Sequence, residues 1–198
     1  AVEKGRAKGY GTLYNKDGGT VYKGEFDKSK YNGTGHLYYP SGQIKYTGEF
    51  VDNEYQGVGT LYRENGSTEY EGSFVDNKKE GTGILFDSSN NQVYEGEFVK
   101  GELKYTDFLE KTTEEAAAMY TGKRIVYSNE TDFAVDMPDI NAMYYGKRTA
   151  DNIEGTIVIN SIYVFDSEFS YAGKSYASIH EIKEILGKLE YEGNTYAI

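Results

Sequence analysis

The chain has no cysteine and no tryptophan, and only two histidines and two prolines among 198 residues. Without cysteine there are no disulfide staples and no thiolate chemistry. With His36 and His180 alone, zinc sites and nucleophile–histidine triads have little material, and no metal or other cofactor is expected. No apolar run approaches the roughly 20 residues that a helix needs to cross a bilayer. Positive charge is also short: 21 Lys and Arg stand against 32 Asp and Glu, a net charge of -11. An acidic chain repels phosphate backbones, so nucleic acid is not an expected partner. The same charge does not favour anionic lipid, although membrane association through a local basic patch stays open. The first residue is Ala1 rather than Met, which is compatible with removal of an upstream segment. Bacterial cytoplasm and cell envelope both remain open as compartments, and nothing fixes the oligomeric state.

What the chain does have is 24 glycines and 21 tyrosines, a composition suited to twisted β structure with aromatic ladders. Their arrangement is periodic. Gly9-Tyr10-Gly11-Thr12-Leu13-Tyr14 returns as Gly33-Thr34-Gly35-His36-Leu37-Tyr38, as Gly57-Val58-Gly59-Thr60-Leu61-Tyr62 and as Gly81-Thr82-Gly83-Ile84-Leu85-Phe86. A second phrase lies between them: Tyr22-Lys23-Gly24-Glu25-Phe26, then the runs opening at Tyr46, Tyr70 and Tyr94, a constant step of 24. A fixed period of this size marks tandem units that stack on their neighbours. Each phrase alternates with the period of a strand, and residues such as Asp17-Gly18-Gly19 and Glu64-Asn65-Gly66 supply turns. Each unit therefore reads as a β-hairpin, joined to the next by polar turns at 27–32, 52–56 and 76–80. Residues 1–8 read as a lead-in or as the tail of an earlier unit.

The phrase Y-x-G-E-F, a polar turn and G-x-G-x-L-[YF] resembles the MORN (membrane occupation and recognition nexus) repeat, over residues 9–98. The resemblance implies an elongated single-layer array of stacked antiparallel hairpins that serves as a scaffold or interaction module. The turns are longer than the family's usual ones. The family name does not by itself establish lipid binding.

Strand alternation gives each unit two faces. The core face should hold Leu13, Tyr22, Phe26, Leu37, Tyr46, Phe50, Leu61, Tyr70, Phe74, Leu85, Tyr94 and Phe98, with rings lying over glycines of neighbouring strands. The opposite face should carry an aromatic column, Tyr14, Tyr38, Tyr62 and Phe86, and a column Glu25, Glu49 and Glu97 broken by Ser73. The aromatic column is the candidate binding surface, although repetition alone would also produce it as a stabilising ladder. His36, Ser73 and Ile84 depart from the repeat. His36 reads as a ladder residue.

Glycine thins beyond Lys104, and charge shifts: residues 1–104 carry 13 basic against 16 acidic residues, residues 105–198 carry 8 against 16. The boundary splits the chain into a four-unit array, 1–104, and a small α+β domain, 105–198, that caps the array's open end. The second part should hold two short helices, each opened by a capping box, Thr112 to Glu115 and Ser178 to Glu181. Gly122 should cap the first helix. Strands are expected at 124–127 and 156–165, hairpins about Ala172-Gly173 and Gly193-Asn194, and an irregular acidic loop with at most one short strand at 129–154. Thr112 to Tyr127 and Ser178 to Tyr191 share a grammar that suggests two copies of one unit, both strands on one sheet.

The whole points to a non-enzymatic, mainly β scaffold that presents its α+β domain to a protein partner, with Tyr144, Tyr145 and Tyr163 as further contact candidates. The alternative is a cell-envelope module binding carbohydrate or lipid in a groove lined by Tyr14, Tyr38 and Tyr62. The G-x-G runs lack the following helix and Lys-Ser/Thr of a phosphate loop. The acidic group Glu130, Asp132, Asp136 and Asp139 lacks the glycine and final glutamate of a calcium loop.

Overall fold

A computed structural model describes residues 2–3, 5–109, 111–128, 132–140, 142–147, 159–164, 170–171, 174–175 and 190–196. The chain divides into two compact units, Ala1–Lys104 and Tyr105–Ile198.

The first unit is a meander. After the small hairpin β1 (Val2–Glu3) and β2 (Arg6–Ala7) come β3 (Gly9–Tyr14), β4 (Thr20–Asp27), β5 (Lys30–Tyr38), β6 (Ile44–Val51), β7 (Glu54–Tyr62), β8 (Thr68–Val75), β9 (Lys78–Phe86), β10 (Gln92–Val99) and β11 (Glu102–Leu103). Strands β3 to β11 form one nine-stranded antiparallel sheet in chain order. The links between units are tighter than the polar turns expected. They are two-residue turns, Lys28-Ser29, Asp52-Asn53, Asp76-Asn77 and Lys100-Gly101, with both central residues at positive φ. That geometry matches the twist of the flanking strands.

Each such turn clips the preceding unit. The Asn53 N–H donates to the Tyr31 carbonyl at 3.0 Å, and the Tyr31 N–H donates to Asn53 Oδ1 at 2.8 Å. Asn77 holds Tyr55 in the same way, at 3.2 and 2.9 Å. Ser29 holds Ala7 with its N–H and Oγ. Ala7 thus occupies the position of Tyr31 and Tyr55, so residues 2–7 carry the last part of a repeat.

The core face is built on glycine. Tyr22 is fully buried, and its hydroxyl donates to the Glu25 carbonyl at 3.0 Å. A Cβ on Gly35 would lie 2.3 Å from that hydroxyl oxygen. Tyr46 lies over Gly48 and Gly59, and Tyr70 over Gly72 and Gly83, in the same way. Two residues outside the expected core complete it. Tyr31 stacks on Tyr22 at 3.8 Å and Tyr55 on Tyr46 at 3.9 Å, with Phe50 and Phe74 meeting them edge-on. Burial raises the Tyr22 phenol to about 12, helped by the Glu25 carboxylate and Tyr31. It does the same for Tyr55 and Tyr70, both to about 12, and pushes Tyr46 up as well.

Tyr94, Phe50, Phe74 and Phe98 are also buried, while Phe26, Leu37, Leu61 and Leu85 are half-buried. Leu13, expected in the core, is exposed. It sits on β3, one of the sheet's two edge strands, where β4 is the only neighbouring strand.

The second unit holds a 3₁₀ turn, Tyr105–Phe108, then α1 (Thr113–Met119), β12 (Arg124–Ser128), β13 (Asp132–Met137), a 3₁₀ turn, Pro138–Ile140, β14 (Ala142–Lys147), β15 (Ile159–Val164), β16 (Ser170–Tyr171), β17 (Lys174–Ser175) and β18 (Glu190–Tyr196). The main sheet runs β15-β14-β13-β12-β18, and β16 pairs with β17. Thr112 caps α1, with both reciprocal bonds of the capping box present. The second expected helix lies outside the described residues.

Three expectations change here. Residues 129–154 contain two strands, not an irregular loop: consecutive buried residues, Ala134-Val135 and Met143-Tyr144, show β13 and β14 covered on both faces. Gly193-Asn194 is not a turn but lies within β18, at a register shift against β12. Gly122 is not the helix cap. It lies beneath Tyr120, whose hydroxyl donates to the Lys123 carbonyl at 2.8 Å. This repeats, outside the array, the tyrosine-over-glycine element of Tyr22. The strands of the two suggested copies, β12 and β18, do share one sheet as neighbours.

Candidate functional site

The array's second face carries two rows of side chains that cross the strands. The registers set one unbroken row, Thr12, Lys23, His36, Thr47, Thr60, Glu71, Ile84 and Glu95. The other is a row of pairs, Tyr10 with Glu25, Thr34 with Glu49, Val58 with Ser73 and Thr82 with Glu97, separated by register shifts between units. Among them, Tyr10 and Val58 protrude with 61% and 66% of their surface exposed. Between these two opens a hollow of about 390 Å³, lined by Tyr10, Thr34, Gly35, His36, Thr47, Gly48, Glu49 and Val58. Its size falls within the range of small-ligand pockets, roughly 300–1,000 Å³. The backbone of the paired glycines Gly35 and Gly48 forms its floor, where a Cβ on either would point to the core face, toward Tyr22 and Tyr46.

The polar groups around the hollow are held in place. His36 Nδ1 and Thr47 Oγ1 share a hydrogen bond at 2.9 Å, so His36 is a ladder residue at the hollow's wall. Glu25 Oε1 accepts from the Thr34 N–H at 3.1 Å and from Thr34 Oγ1 at 3.0 Å. Glu49 Oε1 accepts from the Val58 N–H at 3.3 Å. Both carboxylates lie over positive-φ glycines, Gly33 and Gly57, where a Cβ would come within 2.8 and 2.5 Å. Glutamates at 25 and 49 therefore follow from glycines at 33 and 57. At Ser73 the pattern stops, and only Ser73 Cβ approaches Gly81, at 3.9 Å.

The expected aromatic column is distributed differently. Tyr14 is exposed, while Tyr38, Tyr62 and Phe86 are half-buried. Among the described residues none of the four rings pairs with another, and the hollow is lined by Tyr10 instead. The signal was in the repeat: the position held by Thr34 and Thr82 is held by Tyr10 and Val58.

Lys79 is a further departure, on the core face. It takes the position of Tyr31 and Tyr55, places Nζ 5.3 Å over the Tyr70 ring and pairs with Glu69 at 3.0 Å.

In the second unit Tyr144 is buried, which removes it as a surface contact, and Tyr145 is half-buried. The Tyr163 side chain and His180 lie outside the described residues. Asp139 Oδ2 accepts from the Tyr120 hydroxyl at 2.8 Å and the Lys123 N–H at 2.9 Å, and burial raises Asp136. Among the described residues no group of three His, Cys, Asp or Glu side chains could hold a metal ion. No described helix is long and apolar enough to cross a membrane.

Fold and surface define a class: a tandem β-hairpin repeat protein with a ring-on-glycine core. The family described as MORN repeat matches residues 2–20, 22–44, 46–68, 70–92 and 94–103. The chain belongs to the MORN-repeat family, with five consecutive matches rather than four units alone. The first match begins at residue 2 and so takes in residues 2–7, in agreement with the clip at Ala7. MORN repeats indicate a repeat-based interaction or scaffold module, and proteins built from them are generally non-enzymatic. No curated protein matches the chain.

Proposed function

We propose that the chain is a non-enzymatic scaffold whose array binds a segment of a partner protein across the face that carries the hollow. The observation behind this reading is the hollow itself: about 390 Å³, floored by backbone and walled by two protruding side chains, Tyr10 and Val58. A rigid sheet with pre-positioned polar groups loses little freedom when a segment docks on it.

The test is selection from a random peptide library on the full chain, run beside vesicle and glycan-array binding. Peptides that bind the native chain and fail on Val58→Arg support the reading. Strong vesicle or glycan binding with no peptide selected would overturn it in favour of an envelope ligand.

A further inference from the structure

Resting on that reading, we propose that the hollow selects an arginine or lysine side chain of the bound segment. Charge, contact surface and pre-organisation all point to a cation.

Charge comes first. The two rows carry Glu25, Glu49, Glu71, Glu95 and Glu97 against one lysine, Lys23. Lys23 is not among the residues that line the hollow, whereas Glu49 is. His36 joins Thr47 through Nδ1 and forms part of the wall. The array itself, with 13 basic against 16 acidic residues over 1–104, adds a field of the same sign.

The contact surface suits a long stem ending in a charge. Tyr10 presents an exposed ring, and a cation near an aromatic face gains about 0.5–1 kcal/mol at exposed sites in general. Val58 supplies an apolar wall for methylenes. Thr34 and Thr47 add small polar groups between them. An acidic side chain would meet Glu49, and a purely apolar one would leave that carboxylate partly desolvated.

The carboxylates are also ready. Oε1 of each is engaged by a backbone amide, Thr34 for Glu25 and Val58 for Glu49, while Oε2 accepts from no described residue. Each carboxylate is thus fixed by one oxygen and open at the other. One strand lies between them, two strand spacings or about 10 Å at ordinary sheet geometry. Charge-assisted bonds to such an oxygen are the stronger kind.

The same constellation is not built further along. The next position after Val58 in the repeat is Thr82, and the glutamate after Glu49 is replaced by Ser73. The hollow is therefore one address on a periodic face.

The experiment titrates the full chain with acetyl-Gly-Arg-Gly-amide, acetyl-Gly-Lys-Gly-amide, acetyl-Gly-Leu-Gly-amide and acetyl-Gly-Glu-Gly-amide, and follows backbone amide signals by NMR. The arginine or lysine peptide should move the Thr34, His36, Thr47, Gly48 and Val58 signals, saturably. Glu49→Gln, which retains an acceptor for the Val58 N–H, should weaken this about tenfold. Glu97→Gln, in the same row and outside the hollow, should leave it unchanged, and unfolding midpoints of both variants monitor the fold. Equal or larger shifts with the leucine peptide overturn the proposal. So do an unchanged affinity in Glu49→Gln, and basic-peptide shifts centred on Glu71 and Glu95 rather than the hollow. If library peptides bind without a basic residue at the hollow, this inference falls while the scaffold reading stands.

Discussion

At the residue scale the fold depends on places where a side chain is forbidden. Gly35 has the Tyr22 hydroxyl oxygen, Cζ and Cε2 at 2.3, 2.5 and 2.6 Å from the site of a Cβ. Tyr22 cannot retreat, because Tyr31 stacks on it and Phe26 and Phe50 pin its edges. Gly35→Ala should therefore cost about 3 kcal/mol, the upper part of the overpacking range. In a Tyr22→Phe background the cost should be smaller, and denaturant unfolding of the four chains measures the coupling. The same burial makes the array sensitive to alkali. Tyrosines of the unfolded chain ionise near about pH 10. Tyr22, Tyr55 and Tyr70 stay protonated in the fold to about 12. Between those values the unfolded state holds fewer protons, so stability is full below the lower value and is lost as pH rises through the upper one. Tyrosinate absorbance and β-sheet circular dichroism should change together there. Tyrosinate forming with the sheet intact would contradict this account.

At the scale of elements, the two-residue turns do more than reverse the chain. Asn53 stands at φ 81 and clips Tyr31 through both its N–H and its side chain. Asn53→Gly keeps the backbone geometry and loses one hydrogen bond, about 1 kcal/mol. Asn53→Ala adds the left-handed penalty and should cost about 2 kcal/mol or more. Thermal or denaturant midpoints in that order would verify the clip. Lys79 offers the opposite test. It interrupts the column of Tyr31 and Tyr55, so Lys79→Tyr should restore a ring pair on Tyr70 and raise stability by about 0.5–1.5 kcal/mol. Glu69, whose side chain is 34% exposed, loses its partner in that variant, which offsets part of the gain.

For the whole molecule, period and composition made the array legible before any coordinates. Eight phrases in one phase fix strand, turn and face, and Tyr22 and Gly35 fall where alternation puts them. Leu13 was misread because a repeat pattern cannot say which strand is the edge. The hollow was not legible, since it depends on Tyr10 and Val58 standing on either side of one unit, two substitutions that look minor in a list of repeats. In residues 105–198 the capping box at Thr112 was plain. Strands β13 and β14 were not, because a strand covered on both faces loses the alternation that identifies it. Gly122 misled for a related reason: a glycine after a helix suits a cap and a ring equally well. Charge acts at this scale too. If a basic segment docks on a chain of net charge -11, its affinity should fall steadily as salt rises. Binding that is indifferent to salt would mean an apolar partner.

The constant step also has a consequence for any ligand. A perfectly periodic surface offers several equivalent berths, and a segment sliding by one unit would find the same contacts again. Such degeneracy leaves a scaffold unable to hold its partner in one place. Tyr10, His36 and Val58 on one face, and Lys79 on the other, lift it. They give an otherwise translational lattice an origin, so that position along the sheet becomes information a partner can read.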